Sequence, residues 1–286
     1  MREFLQMLPG AVKYLFGRVR GSFFDSNGVQ IHYTDEGAGE PVVLVHGYAV
    51  DADSNWRIRG ITQALAKEYR VIALDNRGHG LSGKPHDAGQ YGVEMVKDVV
   101  RLLDHLKIEK AHVVGYSMGG YMTLKLITMF PERLLSAVPC AAGWELPTSD
   151  NVAKLEAVAD SLDNGKGFWP LLVAINAIGH KPNRLLLAVP DALMTHYNDI
   201  KAMACIMRRF ADLVVTEEEL RRNTVPVLSI VGAIDPLRSG VDNMIGVMAN
   251  HEAFFVEGRD HMTTLYTPRY LEVLRTFLKK HAMAQA

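Results

Sequence analysis

AHVVGYSMGGYMTLKLITMF, residues 111–130, decides how the rest of the chain is read. It opens with a short apolar run, Ala111–Val114. It closes with apolar residues at helical spacing up to Phe130, where Pro131 ends the helix. Between the two stands Gly115-Tyr116-Ser117-Met118-Gly119. A lone G-x-S-x-G occurs by chance. At a strand-to-helix junction it marks a sharp turn that lifts a serine hydroxyl clear of a sheet. The positions two residues before and after the serine come close together there, so glycine fits and a side chain clashes. The turn also brings a helix N-terminus, with free N–H groups and a positive dipole end, beside whatever Ser117 touches.

Outward from this stretch, strand and helix signals alternate. Ser22–Asp25 and Val29–Asp35 are strand-like and flank Asn27-Gly28, a hairpin turn pair. Pro41–Val45, Arg70–Leu74 and a run around Leu135–Val138 read as strands, and Ile61–Tyr69 and Val93–Leu106 as helices. Later, Val225–Val231 and Ala253–Val256 read as strands, and Val241–Met248 and Pro268–Lys280 as helices. The expected fold class is α/β: a mostly parallel central sheet with helices on both faces. From Trp144 to Leu213 the strand signal vanishes, with Pro170, Pro182 and Pro190 as punctuation. This predicts a helical cap over residues 144–213, inserted after the sixth strand into a core of residues 21–143 and 214–286. Residues 1–20 are apolar but broken by Gln6, Pro9, Gly10 and Lys13. They suit an amphipathic extension better than an export signal.

A chain of 286 residues, 48% hydrophobic and 22% charged, suits one α/β domain with an insertion. Its 31 Lys plus Arg against 32 Asp plus Glu leave a formal charge of −1. That balance gives no electrostatic draw toward nucleic acid or an anionic membrane. No stretch is long and apolar enough for stable membrane insertion. Cys140 and Cys205 sit in apolar surroundings and read as buried free thiols. With no cysteine framework, the expected location is the cytoplasm.

A serine at its ordinary pKa is a weak nucleophile and needs a base and an orienting acid. On such a sheet the chain order is Ser, acid, His. Asp235 follows Val225–Val231 through Gly232-Ala233-Ile234, and His261 follows Ala253–Val256 through Glu257-Gly258-Arg259-Asp260. Of the eleven histidines, His261 alone lies in the loop after the last strand. His32, His105 and His112 read as packing or surface residues, His180 and His196 fall in the cap, and His281 is expected in solvent. Two other acids compete with Asp235. Asp260 adjoins His261, which makes contact with its ring awkward, and Glu145 follows the strand around Leu135–Val138. The backbone N–H groups of Tyr48 and Met118 are the expected oxyanion donors. His46 is expected to support the Tyr48 loop, and Asp75 and Arg77 to bind each other or the Ser117 loop. Trp144, Trp169, Met203 and Met207 are candidates for an apolar substrate pocket. No metal and no organic cofactor is expected.

The run His46-Gly47, Asp75-x-Arg77-Gly78-x-Gly80-x-Ser82, Gly115-x-Ser117-x-Gly119-Gly120, Gly232-x-x-Asp235-Pro236 and Asp260-His261 resembles the α/β-hydrolase superfamily. The resemblance covers the chain from about residue 22 to its end, apart from the cap. It is closest to the serine branch of esterases, C–C-bond hydrolases and cofactor-free haloperoxidase-like proteins. It implies a small-molecule carboxylic ester as substrate, with a small to medium apolar acyl group cleaved through an acyl-serine. Epoxide hydrolases and haloalkane dehalogenases of this kind use Asp as nucleophile, and Ser117 argues against both. Family members often carry a small residue where Asp260 stands. Two alternatives stay open. A C–C hydrolase of dienol-diketone compounds would hold a substrate carboxylate on Arg184, Arg208 or Arg209. A ligand receptor would use the fold without the chemistry.

Overall fold

The computed structural model describes residues 21–145, 148–175 and 184–283. The expected extension over residues 1–20, along with His180, Pro182 and the Arg184 side chain, lies outside the described residues.

Two strands, β1 (Ser22–Ser26) and β2 (Val29–Glu36), form a hairpin. Asn27 and Gly28 turn it with φ of 55° and 82°, the pair of positive values that matches strand twist. The remaining strands are β3 (Pro41–Val45), β4 (Arg70–Leu74), β5 (Ala111–Tyr116), β6 (Leu134–Cys140), β7 (Val227–Gly232) and β8 (His251–Val256). They form one eight-stranded sheet in the order β1-β2-β4-β3-β5-β6-β7-β8. The β1–β2 and β2–β4 pairs are antiparallel, and every other pair is parallel. Every residue of β5 and β7 is buried, as expected of strands covered on both faces.

Strand alternation divides the core into two layers. Val43, Val45 and Val113 point to one face and pack with helices α2 (Val93–His105) and α3 (Met118–Met129). Val42, Leu44 and Val114 point to the other face, with α1 (Ile61–Leu65) and the closing helix at Pro268–Lys280. Between β6 and β7 come α4 (Ser149–Asp163), α5 (Trp169–Ala174), α6 (Arg184–Tyr197) and α7 (Ile200–Arg208), then α8 (Glu217–Arg221). Leu162, Phe168, Leu172 and Met203 from this helical segment join the first layer. After β7 come α9 (Arg238–Asp242) and, after β8, the closing helix α10 (Pro268–Lys280).

Several elements differ from the sequence expectation. Helix α1 stops at Leu65, where Glu68 N and Tyr69 N both donate to Leu65 O at 3.0 Å. That tight turn lets Arg70 enter the sheet beside Pro41. The helix expected at Val241–Met248 is the earlier, shorter α9, and Gly246 at φ 78° lies in the turns that replace the rest. Pro190 lies inside α6 instead of punctuating it. Proline's missing N–H removes one ladder bond there, and the helix continues through it. His281 is half-buried against the Phe277 ring at 4.6 Å, not free in solvent. Cys140 is buried and Cys205 partly so, and both are free thiols. Among the described residues no helix is long and apolar enough to cross a membrane.

Candidate active site

Ser117 sits between β5 and α3 at φ 53°, ψ −117°. A positive φ is costly for a residue with a Cβ, so the surroundings must hold it. They do so by close backbone approach. A Cβ on Gly115 would stand 2.0 Å from Gly119 O, and one on Gly119 would stand 2.1 Å from Val45 O. Both motif glycines are therefore obligatory. Ser117 N donates to Cys140 O at 2.9 Å, which ties the turn to the end of β6.

Two loops from neighbouring strand ends reach this serine. His261, in the loop after β8, has its Nε2 3.0 Å from Ser117 Oγ. Its Nδ1 lies 3.0 Å and 3.2 Å from the two carboxylate oxygens of Asp235, in the loop after β7. A carboxylate only accepts, so Nδ1 carries the proton and Nε2 is left to accept from the serine hydroxyl. Asp235 and His261 are 4% and 5% exposed. Leu237 N donates to Asp235 Oδ1, and Tyr116 O–H donates to His261 O at 2.6 Å, which anchors both loops. Neither rival acid is the partner of the His261 ring, whose Nδ1 is taken by Asp235. Asp260 Oδ1 accepts from Met262 N, Thr263 N and Thr263 Oγ1, so it caps its own turn. The Glu145 carboxylate takes a 3.4 Å contact from Asn151 Nδ2.

The loop after β3 forms the third wall. Gly47 lies so near that a Cβ there would be 3.4 Å from Ser117 Cβ. His46 holds this loop. Its Nδ1 donates to Gly47 O at 2.7 Å, and its Nε2 accepts from Asn76 N at 2.8 Å. Burial pushes the His46 pKa down, in keeping with this neutral tautomer. Asn76 Nδ2 donates back to His46 O, and Ala49 N donates to His79 Nε2. Residues after β4 thus scaffold the His46–Ala49 loop. The expectation for Asp75 and Arg77 needs correction, because they bind neither each other nor the Ser117 turn. Asp75 takes His32 Nδ1, Ala52 N and Leu81 N. Arg77 pairs with Asp98 on α2 and donates to Ser26 O and Gln90.

A cavity of about 620 Å³ opens over Ser117, with Tyr48 and Met118 also on its wall. Of the expected pocket residues, Trp144 and Met207 line it, and Trp169 and Met203 do not. On α5, Leu171 lines the cavity, and Trp169, about 200° away around the helix, does not. On α7, Met207 reaches the cavity, whereas Met203 one turn back is fully buried, with its carbonyl accepting the Tyr48 hydroxyl at 2.8 Å. Tyr121, Leu155, Phe210 and Val215 complete the apolar wall, and no motif pointed to them. Arg208 pairs with Asp160 and Asp163, and Arg209 with Asp212, all at the surface. Neither reaches the cavity. Among the described residues no group of three His, Cys, Asp or Glu side chains is placed to hold a metal ion.

Comparison with known proteins accords with this geometry. The sequence model of the family described as alpha/beta hydrolase fold matches residues 40–200. The chain is 34% identical, over 77% of its length, to the dihydrolipoyllysine-residue acetyltransferase component of the acetoin cleaving system of Pseudomonas putida. That match spans 51% of the relative. It is 40% identical, over 44% of its length and 44% of the relative, to the 2-hydroxymuconate semialdehyde hydrolase of Pseudomonas sp. (strain CF600). The chain thus spans about half the length of these curated relatives or less. Among solved structures, a hydrolase from Pseudomonas aeruginosa PA01 superposes with a TM-score of 0.75 at 22% identity, covering 91% of this chain and 98% of the other. A thermophilic esterase from Thermogutta terrifontis gives 0.72 at 23%, covering 93% and 99%. With a family match over more than half its length, carried on the strand order and serine turn described above, the chain belongs to the alpha/beta hydrolase fold family.

Proposed function

We propose that the protein is a serine hydrolase that cleaves small-molecule carboxylic esters through an acyl-serine. The observation that carries this reading is the hydrogen-bonded line from Ser117 Oγ through His261 to Asp235, with 3.0 Å at each end. His261 Nε2 takes the Ser117 proton as Oγ attacks the ester carbonyl. Asp235 holds the ring in the tautomer this needs and balances the imidazolium that forms. The N–H groups of Tyr48 and Met118 stabilise the oxyanion. His261 then passes its proton to the departing alcohol. A water deprotonated at the same Nε2 attacks the acyl-serine and releases the acid, restoring the serine. The chemistry uses these protein groups and one water.

The helical segment 144–213 acts as a cap, and the core is formed by residues 21–143 and 214–286. Trp144, Leu171 and Met207 from the cap and Leu124 and Tyr121 from the core give the cavity an apolar wall suited to a small or medium acyl group. A dienol-diketone substrate would bring a carboxylate, and Arg208 and Arg209 are turned away from the cavity. That removes Arg208 and Arg209 as anchors for such a carboxylate, and leaves Lys154 as the cation on the cavity wall among the described residues. The test is a panel of p-nitrophenyl esters of graded acyl length. Wild type turns over the short and medium members, and Ser117→Ala loses at least about 10³-fold in kcat while keeping its circular dichroism and Tm. Wild type inert across the panel overturns the reading.

A further inference from the structure

The cavity over Ser117 is mostly apolar, and among its described lining residues Glu145 is the one carboxylate and Lys154 the one ammonium. After β6 the chain meets the cavity wall at Gly143, Trp144 and Glu145. This stretch is clamped to the segment that follows Asp235. Trp144 N donates to Gly240 O at 2.9 Å, and Asn243 Nδ2 donates to Trp144 O at 3.1 Å. A Cβ on Gly143 would stand 2.0 Å from the Gly240 carbonyl carbon, and one on Gly240 would stand 3.3 Å from Glu145 Cγ. The backbone therefore leaves Glu145 little freedom.

Its carboxylate is poorly compensated. The 3.4 Å contact from Asn151 Nδ2 is its one hydrogen bond among the described residues, and no described cation is within ion-pair distance. Lys154 also lines the cavity, but it is exposed and its Nζ contacts Asn151 Oδ1 at 3.4 Å. Burial pushes the Glu145 carboxyl up, and Lys154 offsets part of that. A half-buried carboxylate with one long amide contact and no ion pair is unfavourable for stability. Facing the same cavity as Ser117, it bears directly on what binds there.

We propose that Glu145 sets the charge preference of the cavity, admitting neutral and amine-bearing esters and turning away esters that carry a carboxylate. The inference rests on the ester-hydrolase reading and adds a substrate class to it. Like charges in a partly desolvated cavity repel strongly enough to cost about tenfold in binding, and an ammonium reverses the sign. Lys154 sits in solvent, where screening weakens its opposing pull.

Three p-nitrophenyl esters of matched acyl length, ending in methyl, carboxylate or ammonium, test this on the full chain. In wild type, kcat/KM for the carboxylate ester falls about tenfold or more below that for the methyl ester. Glu145→Gln narrows that gap to about threefold or less and lowers the ammonium-to-methyl ratio. Equal wild-type handling of the methyl and carboxylate esters overturns the inference, as does a variant that moves all three rates together. The wild-type comparison stands even if the variant fails to fold. If wild type cleaves none of the three, the ester reading fails by itself. Phosphonylation rates of Ser117 with neutral and carboxylate-bearing p-nitrophenyl phosphonates then measure the same gap. Slower labelling by the carboxylate probe supports the inference, and equal rates or no labelling overturn it.

Discussion

Ser117 owes its placement to two glycines and its proposed reactivity to two distant loops. Asp235 accepts from His261 Nδ1 with both oxygens, so removing its charge leaves the ring free to adopt the wrong tautomer. Asp235→Asn is therefore expected to lower kcat by about 10³- to 10⁴-fold with little change in Tm, read from ester kinetics and thermal melts. A loss below about tenfold would assign the acid role elsewhere. Which residues would be brought together was legible because each follows an apolar strand in the right chain order. The pocket wall was not. Trp169 and Leu171 differ only in helical phase, and Met203 and Met207 only in distance along α7, neither of which composition reports.

Elements are pinned to one another by a few buried polar groups. Arg77, 0% exposed, makes a two-pronged pair with Asp98 of α2 and also donates to Ser26 O at the end of β1. Arg77→Met removes the two-pronged partner of the buried Asp98 carboxylate and leaves it the Ser26 hydroxyl and a 3.6 Å ion pair with Arg101. The expected cost is about 3–5 kcal/mol, measured by urea unfolding, and a loss under about 1 kcal/mol would contradict this account. Gly119→Ala drives a Cβ against Val45 O and is expected to leave little folded protein or to remove activity. At this scale the strands were read almost as they stand, because continuous apolar runs such as Pro41–Val45 and Ala111–Val114 have one use in a covered sheet. Helix ends were read less well. Residues 66–69 carry no breaker, and the entry of Arg70 into the sheet ends α1. Asp75 and Arg77 looked like partners by spacing, yet their loop points them at different elements.

Across the whole molecule, burial of neutral imidazoles sets an acid limit on stability. Burial lowers the pKa of His46 and His112 below 6.5 and that of His79 well below it. As pH falls under 6.5 the unfolded chain takes up protons that the folded chain refuses, so stability declines. Asp75 adds a second limb. Burial would raise its carboxyl, but the His32 ring and the N–H groups of Leu81 and Ala52 outweigh that and bring it down to about 2. Its contribution is full above 3.8, the ordinary value, and is lost as pH falls through about 2. Tm is expected to fall steadily from pH 7 to 5 and again below 4, and a flat profile between pH 7 and 5 would contradict this. The parallel sheet is also what delivers the loops after β5, β7 and β8 to one spot. That convergence is the central claim, and intact-mass analysis after treatment with diisopropyl fluorophosphate tests it most directly. The account predicts one adduct per chain, mapped to Ser117, with labelling slowed at least about 10³-fold in His261→Ala. An unlabelled wild type, or an adduct mapped to another residue, would contradict it.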